Sequence, residues 1–187
     1  VYQQKLVELE QRQAQRKTEL EHLNRGPLLR RRGVPADISL VIAAGKIDRN
    51  LPCVRILRDT TERILVLSGG TGIGKTTAAC LWVDEGTETA RMASATQLAS
   101  LLSSRREDFD HLAQCSVLAI DDLGTEVDDA RGSFRSKLDA LLARRMGAML
   151  RTVITTNQKA LEFHHPTLGY GERIWSRLHQ HGRFEEV

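Results

Sequence analysis

The stretch RILVLSGGTGIGKTT, residues 63–77, restricts the fold more than any other part of the chain. An apolar run leads into Gly69, Gly70, Gly72 and Gly74, and a helix-forming segment, AACLWV, comes soon after. A strand or helix interior tolerates no such density of bare backbone. Gly69, Gly74, Lys75 and Thr76 fit G-x-x-x-x-G-K-[ST], the spacing of a phosphate-binding loop. Glycine permits the positive φ angles that bring successive backbone N–H groups against an anion, and a helix starting near Gly74 adds its N-terminal dipole. The whole run Gly69, Gly70, Thr71, Gly72, Ile73, Gly74, Lys75, Thr76 and Thr77 is expected to contact a nucleotide. Within it Lys75 reaches the β and γ phosphates, and the Thr76 hydroxyl is a ligand for Mg²⁺.

Such a loop needs a buried strand before it and a helix after it, and the rest of the chain continues in that alternation. Strands are predicted at RILVL, ARMAS, SVLAI, RTVITT and RFEEV. Helices are predicted over Lys75–Val83, ATQLASLLSSRRE, FRSKLDALLARRM and GERIWSRLHQHG. This order predicts an α/β fold, a mostly parallel sheet sandwiched by helices, with ligands at the C-terminal ends of the strands.

Three further motifs fall after strands. In SVLAIDDLGTE, four apolar residues deliver Asp121 and Asp122 to a strand end. There one carboxylate can hold Mg²⁺ through water and the other can orient an attacking water; Asp121 is assigned to the metal and Asp122 to the water. TVITTN ends in Thr155, Thr156 and Asn157, and a neutral amide at Asn157 can hydrogen-bond the γ-phosphate or the water without altering local charge. In YGERIWSRL, Arg173 and Arg177 are four apart and share a helix face. A guanidinium held on a packed helix can stabilise phosphoryl-transfer charge from outside its own pocket; a pair of surface arginines is the plainer alternative.

Charge separates the N-terminal segment from the rest. Residues 1–32 hold 8 Lys and Arg against 4 Asp and Glu, and the remainder holds 19 against 20. Residues 1–24 lack Gly and Pro, and Tyr2, Leu6, Leu9, Gln13, Arg16, Leu20 and Leu23 form a heptad seam with a polar middle. RGPLLRRRGVP is read as a Gly/Pro-punctuated connector, so residues 1–32 are an N-terminal helical arm with a basic linker and 33–187 the core. The linker either touches an acidic surface such as nucleic acid or is simply solvated. Cys53, Cys80 and Cys115 are far apart, as expected of reduced, buried cysteines in a cytoplasmic protein, and no apolar run approaches a membrane span. His164 with His165, and His179 with His181, lack the i, i+4 spacing that helical zinc ligands prefer.

The ordered set GGTGIGKTT, SVLAIDDLGTE, TVITTN and GERIWSRL closely resembles the AAA+ ATPases of the DnaC/DnaI type, loaders of bacterial and phage replicative helicases. The IstB-type helper ATPases of insertion-sequence transposition have nearly the same core. The resemblance covers residues 33–187 and implies a P-loop NTPase core with ATP and Mg²⁺ as cofactors. It also implies self-association with ATP shared between subunits, Asn157 as sensor 1 and Arg177 as an arginine finger acting on a neighbour's ATP. Before Val187 no helical lid of the kind most AAA+ proteins carry is evident. Two clients stay open: a replicative helicase loaded on single-stranded DNA through residues 1–24, or a transposase directed on duplex DNA.

Overall fold

The computed structural model describes residues 12, 16, 23–104, 106–126, 133–165 and 169–187. Most of the predicted seam, including Tyr2, Leu6, Leu9, Gln13 and Leu20, lies outside the described residues. Contacts divide the chain into two units, Val1–Ile47 and Asp48–Val187, whereas the sequence placed the end of the arm at Arg32.

In the first unit the expected connector is largely helical. Helix α1 covers 23–31 and passes through Gly26 and Pro27 without a break. It stops at Gly33, whose φ of 94° is left-handed; Gly33 N–H donates to Arg30 O and Val34 N–H to Leu29 O, both at 3.0 Å. This is a Schellman closure, sealed by the burial of Leu29 and Val34. Gly26 instead lies beside Ala43, near the end of helix α2 (Ala36–Ala43). The glycine and proline that end the helix are therefore Gly33 and Pro35, not the pair that interrupts the sequence pattern earlier.

The second unit begins with α3 (Pro52–Asp59), which sequence reading missed, and then builds a five-stranded sheet. Strands β1 (Ile64–Ser68), β2 (Arg91–Ser94), β3 (Val117–Leu123), β4 (Arg151–Thr156) and β5 (Gly182–Glu186) lie in the order β2-β3-β4-β1-β5, every pair parallel. Crossovers are made by α4 (Lys75–Glu85), α5 (Ala95–Ser104), α6 (Arg106–Gln114), α7 (Ser133–Gly147), α8 (Ala160–His164) and α9 (Gly171–His181). The helix expected over 95–107 corresponds to α5 and α6, whose described residues reach Gln114, and α8 was not foreseen.

Burial on both faces explains why these strands read as apolar runs instead of alternating ones. Ile64, Val66, Leu118, Ile120 and Ile154 join α7 and α9 side chains such as Leu138, Leu142, Ile174 and Leu178 in one cluster. Their strand neighbours Leu65, Leu67, Ala119 and Val153 point to the opposite face by the two-residue period, and α4 contacts β3 and β4 with Ala79, Trp82 and Val83 fully buried. Cys53, Cys80 and Cys115 are buried and in no disulfide. Among the described residues no helix is long and apolar enough to cross a membrane.

Candidate functional site: a glycine-lined cleft at the strand ends

The C-terminal ends of the three central strands meet at one place. Pairing sets Ser68 of β1 opposite Thr156 of β4, and Ser94 of β2 opposite Asp121 of β3. After Ser68 the chain turns through Gly69, Gly72 and Gly74 at φ of 146°, 83° and 90° before α4 starts at Lys75. At two of these positions an added side chain would be crowded. A Cβ on Gly69 would come within 2.4 Å of Val187 O, and one on Gly74 would press on Leu51 at 3.0 Å in a left-handed conformation.

The loop forms one wall of a cleft of about 320 Å³. Thr71, Gly72, Gly74, Lys75, Thr76 and Thr77 line it from the loop and α4, Asp122 and Asn157 from the ends of β3 and β4, and Leu51 from the start of α3. Motifs separated by up to 86 residues therefore share one cavity, as their order in the sequence implied. Leu51 was missed, because a leucine ahead of a proline carries no chemical signal.

Lys75 is 6% exposed, and its ammonium donates to Gly69 O at 2.8 Å, Gly70 O at 2.7 Å and Asn157 Oδ1 at 3.0 Å. All three donors are thus engaged at the loop, and Asn157 is tied directly to it. A phosphate entering the cleft would exchange with those carbonyls.

The acidic pair is set by a bulge. Ile120 pairs with Ile154 but Leu123 pairs with Thr156, so β3 spends one residue more than β4 across Asp121 and Asp122. Asp122 takes a φ of 55°, a left-handed conformation that Asp tolerates better than most residues. Consequently β3 runs on to Leu123 instead of ending at Ile120, and the acids lie within it. The buried Thr155 hydroxyl holds both: it donates to Asp121 Oδ1 at 2.6 Å and accepts Asp122 N–H at 2.9 Å. Thr76 Oγ1 donates to the same Asp121 oxygen at 3.0 Å. Burial pushes the Asp121 carboxyl above its ordinary range, with the Asp122 charge adding to the rise, while the two threonine bonds and Lys75 oppose it.

Arg177 is not brought into this cleft. It sits on α9 and donates Nε to Asp139 of α7 at 2.7 Å, and Arg173 Nη2 meets the other oxygen of Asp139 at 3.1 Å. Asp139 was not singled out in the sequence, since nothing local distinguishes it within an amphipathic helix. A second link was equally unreadable: the Tyr170 hydroxyl, at the start of α9, donates to Glu126, whose other oxygen accepts Gly124 N–H at 2.8 Å. Burial, with the Glu126 carboxylate beside it, pushes the Tyr170 phenol well above its usual range.

No protein-family model matches the chain, and no curated protein sequence does either. Solved structures do. A crystal structure of DnaI matches 76% of this chain and 89% of its own, with a TM-score of 0.58 at 20% identity. The DnaC helicase loader matches 73% of this chain and 86% of its own, with a TM-score of 0.55 at 19% identity. AMPPCP-bound DnaA from Aquifex aeolicus matches 75% of this chain at a TM-score of 0.60 and 13% identity; the chain spans only 47% of that protein. A DNA replication initiation factor is likewise covered over 43% of its length. The chain thus shares the fold of these structures, a five-stranded parallel sheet flanked by helices.

Proposed function

We propose that the protein is a Mg²⁺-dependent ATPase of the AAA+ type that assembles with copies of itself on single-stranded DNA and loads a replicative helicase, which it contacts through residues 1–24. The convergence of Lys75, Asp122 and Asn157 on one glycine-lined cleft carries the ATPase reading. The AMPPCP bound to a DnaA of like fold supports it.

Magnesium fits the residues present. A hydroxyl and a carboxylate, both hard oxygen donors, lie 3.0 Å apart at Thr76 and Asp121. Bound there with the triphosphate, Mg²⁺ supplies charge neutralisation across the phosphate oxygens. Lys75 releases the Gly69 and Gly70 carbonyls to hold the β and γ phosphates, and the loop N–H groups cradle the rest. Asp122 orients the attacking water, Asn157 hydrogen-bonds it or the γ-phosphate, and Arg177 serves the ATP of an adjoining subunit.

The loader role draws on the likeness to DnaI and to the DnaC helicase loader. Its test compares the full chain with Lys75→Ala for Mg-ATP turnover, for binding to a bacterial replicative helicase, and for single-stranded against duplex DNA at matched salt. We expect turnover that EDTA and Lys75→Ala abolish, helicase binding, and a preference for single strands. Unchanged turnover in Lys75→Ala would sink the ATPase reading. Duplex preference together with binding to a transposase and not to the helicase would replace the loader by a transposition helper.

A further inference from the structure

Two arginines converge on one carboxylate in the second unit. Asp139, in the middle of α7, has a side chain 15% exposed, whereas those of Arg177 and Arg173 are 32% and 81% exposed. One oxygen of Asp139 takes Arg177 and the other takes Arg173, so one negative charge meets two positive ones. The cluster keeps a surplus positive charge next to an otherwise apolar helix contact.

The geometry of the inner bond matters more than its charge. A guanidinium whose role ends at an ion pair is commonly held by its fork, with two parallel N–H bonds to the two carboxylate oxygens. Here Arg177 gives Asp139 its innermost nitrogen, Nε, and among the described residues Nη1 and Nη2 have no partner. Fixing Nε sets the plane of the group and restrains a long, rotamer-rich side chain, while both terminal amino groups stay available to an acceptor.

We infer that Asp139 is the positioning residue of Arg177: it grips the guanidinium at Nε so that Nη1 and Nη2 are presented together to the γ-phosphate held by an adjoining copy of this chain. Arg173 meets the second oxygen, so the two arginines share Asp139 with one oxygen each. The inference rests on the proposed action of Arg177 between subunits. It adds a residue that touches neither ATP nor water and acts only through Arg177.

The test measures Mg-ATP turnover of full-length wild type, Arg177→Ala, Asp139→Asn, Asp139→Ala and the double variant Arg177→Ala/Asp139→Asn. Each is then mixed with Lys75→Ala, whose own pocket is dead but whose Arg177 and Asp139 are intact. Because about 1 Å of misplacement can cost on the order of 100-fold, Asp139→Asn should slow turnover roughly 10-fold to 100-fold without changing ATP affinity. The double variant should be no slower than Arg177→Ala alone. Adding Lys75→Ala should restore activity to Asp139→Asn, since an intact arginine from one subunit then serves an intact pocket in another. Melting curves identify a folding defect, in which case the isosteric Asn variant decides the matter over Ala. Wild-type turnover in both Asp139 variants, with Arg177→Ala slow, would overturn the inference and leave the arginine finger standing. So would slow turnover that Lys75→Ala restores in Arg177→Ala but not in Asp139→Asn. Wild-type turnover in Arg177→Ala would overturn the finger reading itself, and Asp139's role with it.

Discussion

Replacing Thr155 by valine keeps the shape of a fully buried side chain and removes one oxygen, so its effect isolates what that hydroxyl does. Two bonds disappear. The first, to Asp121 Oδ1 at 2.6 Å, goes to a charged acceptor and is worth about 1.5–3 kcal/mol; the second leaves Asp122 N–H without its acceptor at a cost of about 1–3 kcal/mol. Trading hydroxyl for methyl in the core returns about 0.8 kcal/mol, so the net loss should be about 2–5 kcal/mol. For a chain of this size that is roughly 4–20 °C in melting temperature. Asp121, deprived of a bond that holds its carboxyl down, should also titrate at a higher pH than in the wild type. Urea denaturation of wild type, Thr155→Val and Thr155→Ser would measure the stability term, and Mg-ATP turnover the functional one. The serine variant restores the oxygen and drops only the methyl, so it should recover most of the turnover. If Thr155→Val matches wild type in both midpoint and turnover, the hydroxyl does not hold the acidic pair in the bulge.

Asp122→Asn removes the charge facing the cleft but keeps the backbone bond to Thr155, so nucleotide binding by calorimetry should persist while hydrolysis falls by about 100-fold or more. Asp121→Asn should behave oppositely in stability. A carboxyl whose folded value is raised loses native stability as pH rises from the ordinary aspartate value of 3.8 through the folded value, and holds that loss above it. Asn keeps an acceptor for Thr76 and Thr155 without the charge, so the variant should melt higher than wild type at neutral pH, with the gap closing in acid, while Mg²⁺-supported turnover is lost. Arg145→Ala should cost about 3–5 kcal/mol by urea denaturation. This fully buried guanidinium donates to Leu112 O, Cys115 O, Arg151 O and Thr152 Oγ1, and its loss takes a donor from each of the four.

The division between what was readable and what was not follows the range of the forces involved. The glycine loop was legible because its conformation is a local matter: only residues without a Cβ reach those φ angles, and the lysine and threonine that follow are held to the loop by covalent spacing. Strands β1, β3 and β4 were legible because a parallel strand buried on both faces must be apolar throughout, and placing them in one sheet carries Lys75, Asp122 and Asn157 to one end. Only tertiary structure decided the rest. Gly26 and Pro27 read as breaks, yet α1 passes through them, because the left-handed closure at Gly33 and the burial of Leu29 and Val34 outweigh the local cost. The partners of Arg177 and Tyr170 are 38 and 44 residues away, on helix and loop surfaces with no distinguishing pattern. An ion pair or hydrogen bond between distant segments leaves no periodicity in either one, since it depends on where two helices happen to cross and not on the residues beside it in the chain.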